Sequence, residues 1–302
     1  MEGTWREKFQ RCPTGKGSLA AGCLPTTSQT TTSPMTIGSF DPSTSFFFIA
    51  GPCVVEGREM MMQVAQRLAE IREQLGANII LKASYRKANR TSGGSFTGLG
   101  DEEALAMIAE AGRVHQLPTL TDIHIPDEAA MAAEFVDVLQ IPAFLCRQTE
   151  LIEAAAATGK VVNIKKGQFA APEDMIHAVE KGKNAGNGNI MLCERGTSFG
   201  YHNLVVDMRS LLIMRQAGVP IVYDATHSLQ LPSASGTSGG QPEYTVPLAR
   251  AAVAVGINGV FFETHPNPPA ALSDATTQMP LHQAEDFIRD CLRVNEFVRS
   301  LG

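Results

Sequence analysis

Eight short apolar runs in this chain each end on polar residues, most of them able to carry charge or bind a metal: Cys53; Lys82 and Ser84; Asp122 and His124; Gln140; Lys165 and Lys166; Glu194 and Arg195; Asp224 and His227; Glu263 and His265. Two chemistries follow from the residue types. The cations Lys82, Lys87, Arg90, Lys165 and Arg195 suit reactants bearing phosphate and carboxylate groups, since guanidinium grips such anions bidentately and ammonium acts as a point charge. Cys53, His227, His265, Glu263 and Asp274 are soft or borderline donors, and a thiolate with imidazole and carboxylates fits Zn²⁺ or Fe²⁺ better than Mg²⁺. Taken singly each is unremarkable. A strand-end cysteine is usually a small core hydrophobe, and Cys146, Cys193 and Cys291 read that way amid apolar neighbours. No local spacing makes a metal motif, so any site depends on distant strands converging.

The formal net charge of -6 argues against nucleic acid or an acidic membrane surface as partner, because a polyanion calls for a basic stripe. Anionic ligands must therefore be met by a local cationic cluster. The loop KANRTSGGSFTGLG at 87–100 adds to it, with Arg90 for phosphate and Ser92 and glycine-flanked N–H groups as neutral donors. A second Gly/Ser loop at 233–243 reads as a lid.

These groups have to be positioned by the runs that carry them: 46–53, 79–84, 118–124, 136–143, 161–167, 189–196, 220–228 and 259–266. Between them lie Ala/Glu/Leu-rich stretches of helical period, among them 56–75, 101–115, 172–184, 242–255 and 280–300. Eight β-then-α units in 302 residues predict one closed parallel (β/α)₈ (TIM) barrel over 45–302, whose strand C-termini form one polar rim. A doubly wound sheet fits less well, because no G-x-G-x-x-G opens a helix. Residues 1–44, rich in Thr, Ser, Gly and Pro, read as a disordered extension. Six scattered cysteines without a CxxC pair point to the reducing cytoplasm. SLAAGC at 18–23 lacks the apolar stretch an export signal needs.

The segments AGPCVVEG, LKASYRKANRTS, TDIHIPDEA, DVLQIPAFLCRQTEL, NIKKGQF, CERGTSFGYHNLVVDMRS, DATHSLQLP and FFETHPNPPAALSDATTQMPL closely resemble the 3-deoxy-D-manno-octulosonate-8-phosphate synthases. The likeness runs from about Phe47 to the end. It implies a transferase that condenses phosphoenolpyruvate with arabinose 5-phosphate and water, releases inorganic phosphate, and feeds lipopolysaccharide synthesis as a cytoplasmic homotetramer. It further implies that Lys82, Lys87, Gln140, Ala143, Lys165 and Arg195 hold phosphoenolpyruvate, and that Asn89, Arg90 and Ser92 hold the sugar phosphate. Cys53, His227, Glu263 and Asp274 match the ligands of the metal-dependent branch, implying Zn, Fe, Mn or Co; the metal-independent branch carries Asn where Cys53 stands. Catalytic roles fall on Lys165, His227, Asp274 and Asn89. KANRTS separates the chain from the sister heptulosonate-phosphate synthases, whose loop is shorter. A Schiff-base aldolase is the other alternative, because burial beside cations would lower the pKa of Lys82 or Lys165.

Overall fold

The computed structural model describes residues 35–88, 97–231 and 239–301. Eight parallel strands close on themselves: β1 (Phe47–Gly51), β2 (Asn78–Lys82), β3 (Thr119–Asp122), β4 (Val138–Ile141), β5 (Val161–Lys165), β6 (Ile190–Glu194), β7 (Ile221–Asp224) and β8 (Gly259–His265). Neighbours in sequence pair in order, and β8 returns to β1 with Ile49 opposite Phe261. The predicted barrel is thus present, and seven of the predicted runs contain their strand, β2 alone starting one residue earlier, at Asn78.

Helices α1 (Arg58–Leu75), α2 (Asp101–His115), α3 (Glu128–Ala133), α4 (Thr149–Ala157), α5 (Met175–Asn184), α6 (Met208–Arg215), α7 (Thr245–Ala254) and α8 (Ala284–Ser300) alternate with the strands. Helix α8 buries Ala284, Phe287, Ile288 and Cys291, the i, i+3, i+4, i+7 stripe that faces a helix onto a sheet. Helix α1 ends at Gly76, whose φ of 63° supplies the left-handed cap at no steric cost. The outer core lies between helices and strands. Cys291 and Cys146 belong to it, and burial pushes the Cys291 thiol up to about 12, as befits an inert core group.

The barrel interior is a separate apolar plug, including Phe47, Ile49, Ile80, Leu120, Val222 and Phe261. Met35, Ile37 and Phe40 complete that plug, with Ile37 only 1% exposed. The boundary drawn at residue 44 is therefore corrected: 35–44 belong to the barrel body, closed by the Ile37–Phe40 backbone pair. These three side chains cover the end from which the strands start, where the barrel would otherwise open its core to water. Residues 1–34 lie outside the described ones.

Candidate active site

Strand side chains alternate between faces, so the residues in phase with the apolar plug also point inward. On β2 that phase carries Ile80 to Lys82, on β7 Val222 to Asp224, and on β8 Phe261 to Glu263. The same alternation brings in Asp122, Gln140, Lys165 and, one residue beyond β6, Arg195. Below them the apolar plug excludes water. The Phe261 ring forms its roof, with Lys165 Nζ 3.7 Å from the ring centroid, a contact that favours a cation over the π face.

The buried charges are paired across the barrel. Lys82 Nζ donates to Glu263 Oε1 at 2.6 Å and to the Cys53 carbonyl at 3.0 Å. Lys165 Nζ donates to Asp224 Oδ2 at 2.6 Å, and His227 Nδ1 lies 2.9 Å from the same oxygen. That contact favours the proton on His227 Nδ1 and leaves Nε2, 3.7 Å from Glu263 Oε1, free to act. Deeper still, Asn163 Nδ2 donates to Gln140 Oε1, and Gln140 Nε2 to Asp122 Oδ1. Strand β1 reaches this cluster only because residue 51 is glycine: a Cβ there would sit 2.0 Å from the Lys82 carbonyl oxygen.

Burial opposes the charge on Lys82, but Glu263 holds the ammonium above its ordinary range. This reverses the lowered pKa expected of a Schiff-base lysine; a lysine locked to a carboxylate carries no free electron pair.

Beside the charge pairs lies a thiol with two carboxylates. The ligand atoms of Cys53, Glu263 and Asp274 fall within 4.8 Å of one another. Burial, then Asp274 and Glu263, pushes the Cys53 thiol well above its usual value. The protonated Sγ accordingly donates to Asp274 Oδ2 at 2.9 Å. Glu263 Oε2 is buried without a hydrogen-bond partner among the described residues. A divalent cation fits this donor set, since it would displace the thiol proton and satisfy that oxygen. Asp274 is held in the left-handed region at φ 47°, which Asp tolerates better than most residues. Gln278 ties its loop to β1, accepting from the Cys53 N–H at 3.1 Å and donating to the Ser273 carbonyl at 2.8 Å.

Of the residues expected from sequence, Lys82, Lys87, Gln140, Lys165, Arg195, Cys53, His227, Glu263 and Asp274 are joined by this network. Lys87 Nζ reaches Asp274 Oδ2 at 3.2 Å. Ala143 opens a short 3₁₀ turn, Ala143–Leu145, just after β4. Asn89, Arg90 and Ser92, and most of the proposed lid, lie outside the described residues. His265 stands apart from the thiol cluster, with Nε2 3.4 Å from Glu56 Oε2. Lys166, in the opposite strand phase to Lys165, is fully buried among backbone carbonyls and Thr197 Oγ1. Three amides went unnoticed in sequence: Asn163, Gln230 and Gln278. Their only signal was proximity to strands that end in charge. A cavity of about 650 Å³ lined by Phe40, Arg72, Arg113 and Asp137 shares no residue with this site.

The buried carboxylates fix an acid response. For Asp224, burial is outweighed by His227 and Lys165; for Asp122, by Lys82 and Lys165; for Asp274, by Lys87 and His227; for Glu263, by Lys82 and His227. All four are held below the usual carboxylate range, so the unfolded chain binds more protons in acid. The stability they contribute is complete above about pH 5 and is lost as pH falls below the unfolded values near 4. The unfolding free energy from urea titrations should be flat from pH 7 to about 5.5 and then fall, with a limiting slope of up to about 5 kcal/mol per pH unit for four protons. A value unchanged at pH 3.5 would contradict these assignments.

The sequence model described as the DAHP synthetase I family matches residues 29–298. The chain is 53% identical to the 2-dehydro-3-deoxyphosphooctonate aldolase of Acidithiobacillus ferrooxidans over 256 residues, 84% of this chain and 91% of the relative. It is 53% identical to the protein of that name in Dechloromonas aromatica, covering 85% and 94%. With the one in Bordetella petrii, identity is 56% over 264 residues, covering 85% and 93%.

Proposed function

We propose a function from one premise: this chain belongs to the DAHP synthetase I family and, within it, to the 2-dehydro-3-deoxyphosphooctonate aldolases. It condenses phosphoenolpyruvate with arabinose 5-phosphate and water, giving 3-deoxy-D-manno-octulosonate 8-phosphate and inorganic phosphate. The observation that carries this reading is the meeting of buried Lys82, Lys165 and Arg195 with the Cys53, Glu263 and Asp274 cluster at one barrel mouth. Anion recognition and electrophile activation are thereby side by side.

In the reaction, C3 of phosphoenolpyruvate forms a bond to the sugar's aldehyde carbon, and the aldehyde oxygen takes up a proton. Water adds to C2 and gives up a proton; the C2–O bond to phosphate then breaks, leaving the 2-keto acid and phosphate. Lys82, Lys165 and Arg195 neutralise the carboxylate and phosphate and so hold C3 of the enol in line with the aldehyde. Gln140, held between Asp122 and Asn163, orients the enol. With Asp224 steadying its Nδ1–H, His227 would offer Nε2 as a ligand to the dication or, when uncoordinated, take or return a proton. Cys53, Glu263 and Asp274, with His227 at their side, would hold a Zn, Fe, Mn or Co dication, which when bound supplies Lewis acidity toward the aldehyde oxygen or the water. Asn89, Arg90 and Ser92 would hold the sugar's hydroxyls and phosphate. Self-association as a tetramer is supported by exposed aromatics on three consecutive βα loops, Phe144, Phe169, and Phe199 with Tyr201.

The test is acceptor choice. Phosphate release from phosphoenolpyruvate should be about 10²-fold more efficient in kcat/KM with arabinose 5-phosphate than with erythrose 4-phosphate, a discrimination within reach of a site that pairs each hydroxyl. A preference for the four-carbon sugar would replace this reading with a heptulosonate-phosphate synthase.

A further inference from the structure

One side chain touches both halves of the site. Gln230 Oε1 accepts from Arg195 Nη2 at 3.2 Å, while its Nε2 donates to Asp274 Oδ1 at 3.1 Å. The chemistry of the two ends dictates the middle. A guanidinium only donates and an ionised carboxylate only accepts, so the bridge needs one acceptor and one donor on the same short side chain. An amide meets that demand in a single orientation. The backbone of Gln230 is anchored by pairing of Gln230–Leu231 with Gly239–Gly240, so displacement at one end of the amide is transmitted to the other.

Each end also has an unmet requirement. Arg195 Nη1 is buried without a hydrogen-bond partner among the described residues, a donor left over for an oxyanion. Asp274 already shares Oδ2 with the Cys53 thiol and Lys87, so any cation gathered by Cys53, Glu263 and Asp274 must rearrange its carboxylate.

We propose that Gln230 is a positioning residue that couples occupancy of the thiol–carboxylate cluster to anion binding at Arg195, so that each ligand tightens the other. The inference rests on the cation reading given above. A carboxylate drawn toward a dication carries the amide with it and sets Arg195 Nη1 for the phosphate group; an anion docked first pre-orders Asp274 in the same way. Linkage makes the effect reciprocal.

The probes are Co²⁺ and inorganic phosphate on the full chain, with Co²⁺ binding read from its thiolate charge-transfer absorption and phosphate binding by calorimetry. In the wild type, saturating phosphate should tighten Co²⁺ by about 5–10-fold, and Co²⁺ should tighten phosphate by the same factor. Gln230→Met keeps the volume and removes both hydrogen bonds. It should cut that coupling to about twofold, the through-space attraction that remains, while Co²⁺ affinity without phosphate changes by less than about threefold. A merely structural glutamine would instead lower thermal stability or weaken both ligands with the coupling intact. Equal coupling in Gln230→Met and wild type, or no coupling in a wild type that binds both probes, overturns the inference and leaves the proposed reaction untouched. Absence of a thiolate band in wild type overturns the cation reading together with it.

Discussion

Protein stripped of divalent cations by a chelator is expected to lose phosphoenolpyruvate turnover by about 10²–10³-fold, the scale on which a preorganised electrostatic group contributes. The expectation starts from Cys53. Its thiol is 1% exposed and is pushed well up by burial and by Asp274 and Glu263. A neutral core thiol has no need of two carboxylates beside it, whereas a cation does. Mn²⁺, Fe²⁺, Co²⁺ and Zn²⁺ should restore activity to different extents, since their affinities and geometries differ. Cys53→Ala should lose metal and activity together. Cys53→Asn is the sharper variant, because an amide cannot replace a thiolate but can hydrogen-bond to a reactant; a low, chelator-insensitive rate is expected. Glu263, Asp274 and His227 would still form a pocket suited to a cation and keep that rate low. Full turnover by wild-type protein proven metal-free by elemental analysis would reduce Cys53 to a packed thiol.

The second large effect belongs to Lys82→Met, which should destabilise the fold by about 3–5 kcal/mol and abolish turnover. Lys82 and Glu263 are both fully buried and joined at 2.6 Å. Removing one partner leaves the other charge uncompensated in a dry interior, and that penalty exceeds the net worth of the pair. The double variant Lys82→Met with Glu263→Gln should therefore recover most of the stability, since no charge is stranded, yet stay inactive because the anion and cation sites have both lost a member. Urea denaturation and phosphate release, measured on the single and double variants, separate the two effects. A single variant as stable as wild type would mean that Glu263 finds another countercharge, with His227, whose Nε2 lies 3.7 Å away, the nearest candidate.

The parallel barrel was legible because strands buried on both faces must be nearly all apolar, and VVNIK or GVFFETH announce that without any alignment. Helices α3, α4 and α6, of six, nine and eight residues, were not among the spans marked from sequence. Each gives only one or two turns of periodicity, and packing on the barrel rather than propensity holds them. Met35, Ile37 and Phe40 escaped for a related reason. Three apolar residues in a polar stretch carry no period, and only the closed barrel creates the opening they fill.

Residue chemistry and strand phase, both local properties, determined which groups could meet: Lys82, Gln140, Lys165, Asp224 and Glu263 point inward because each keeps step with a buried apolar residue on its own strand. Lys166, one residue out of that step, leaves the site for a nest of carbonyls. What only the tertiary structure decided is the pairing: which lysine meets which carboxylate, that Asp274 curls back from its loop onto Cys53, and that Gln230 spans Arg195 and Asp274. Such contacts join residues far apart in the chain, and their distances are set by barrel closure and loop path, which no local pattern of residue types records.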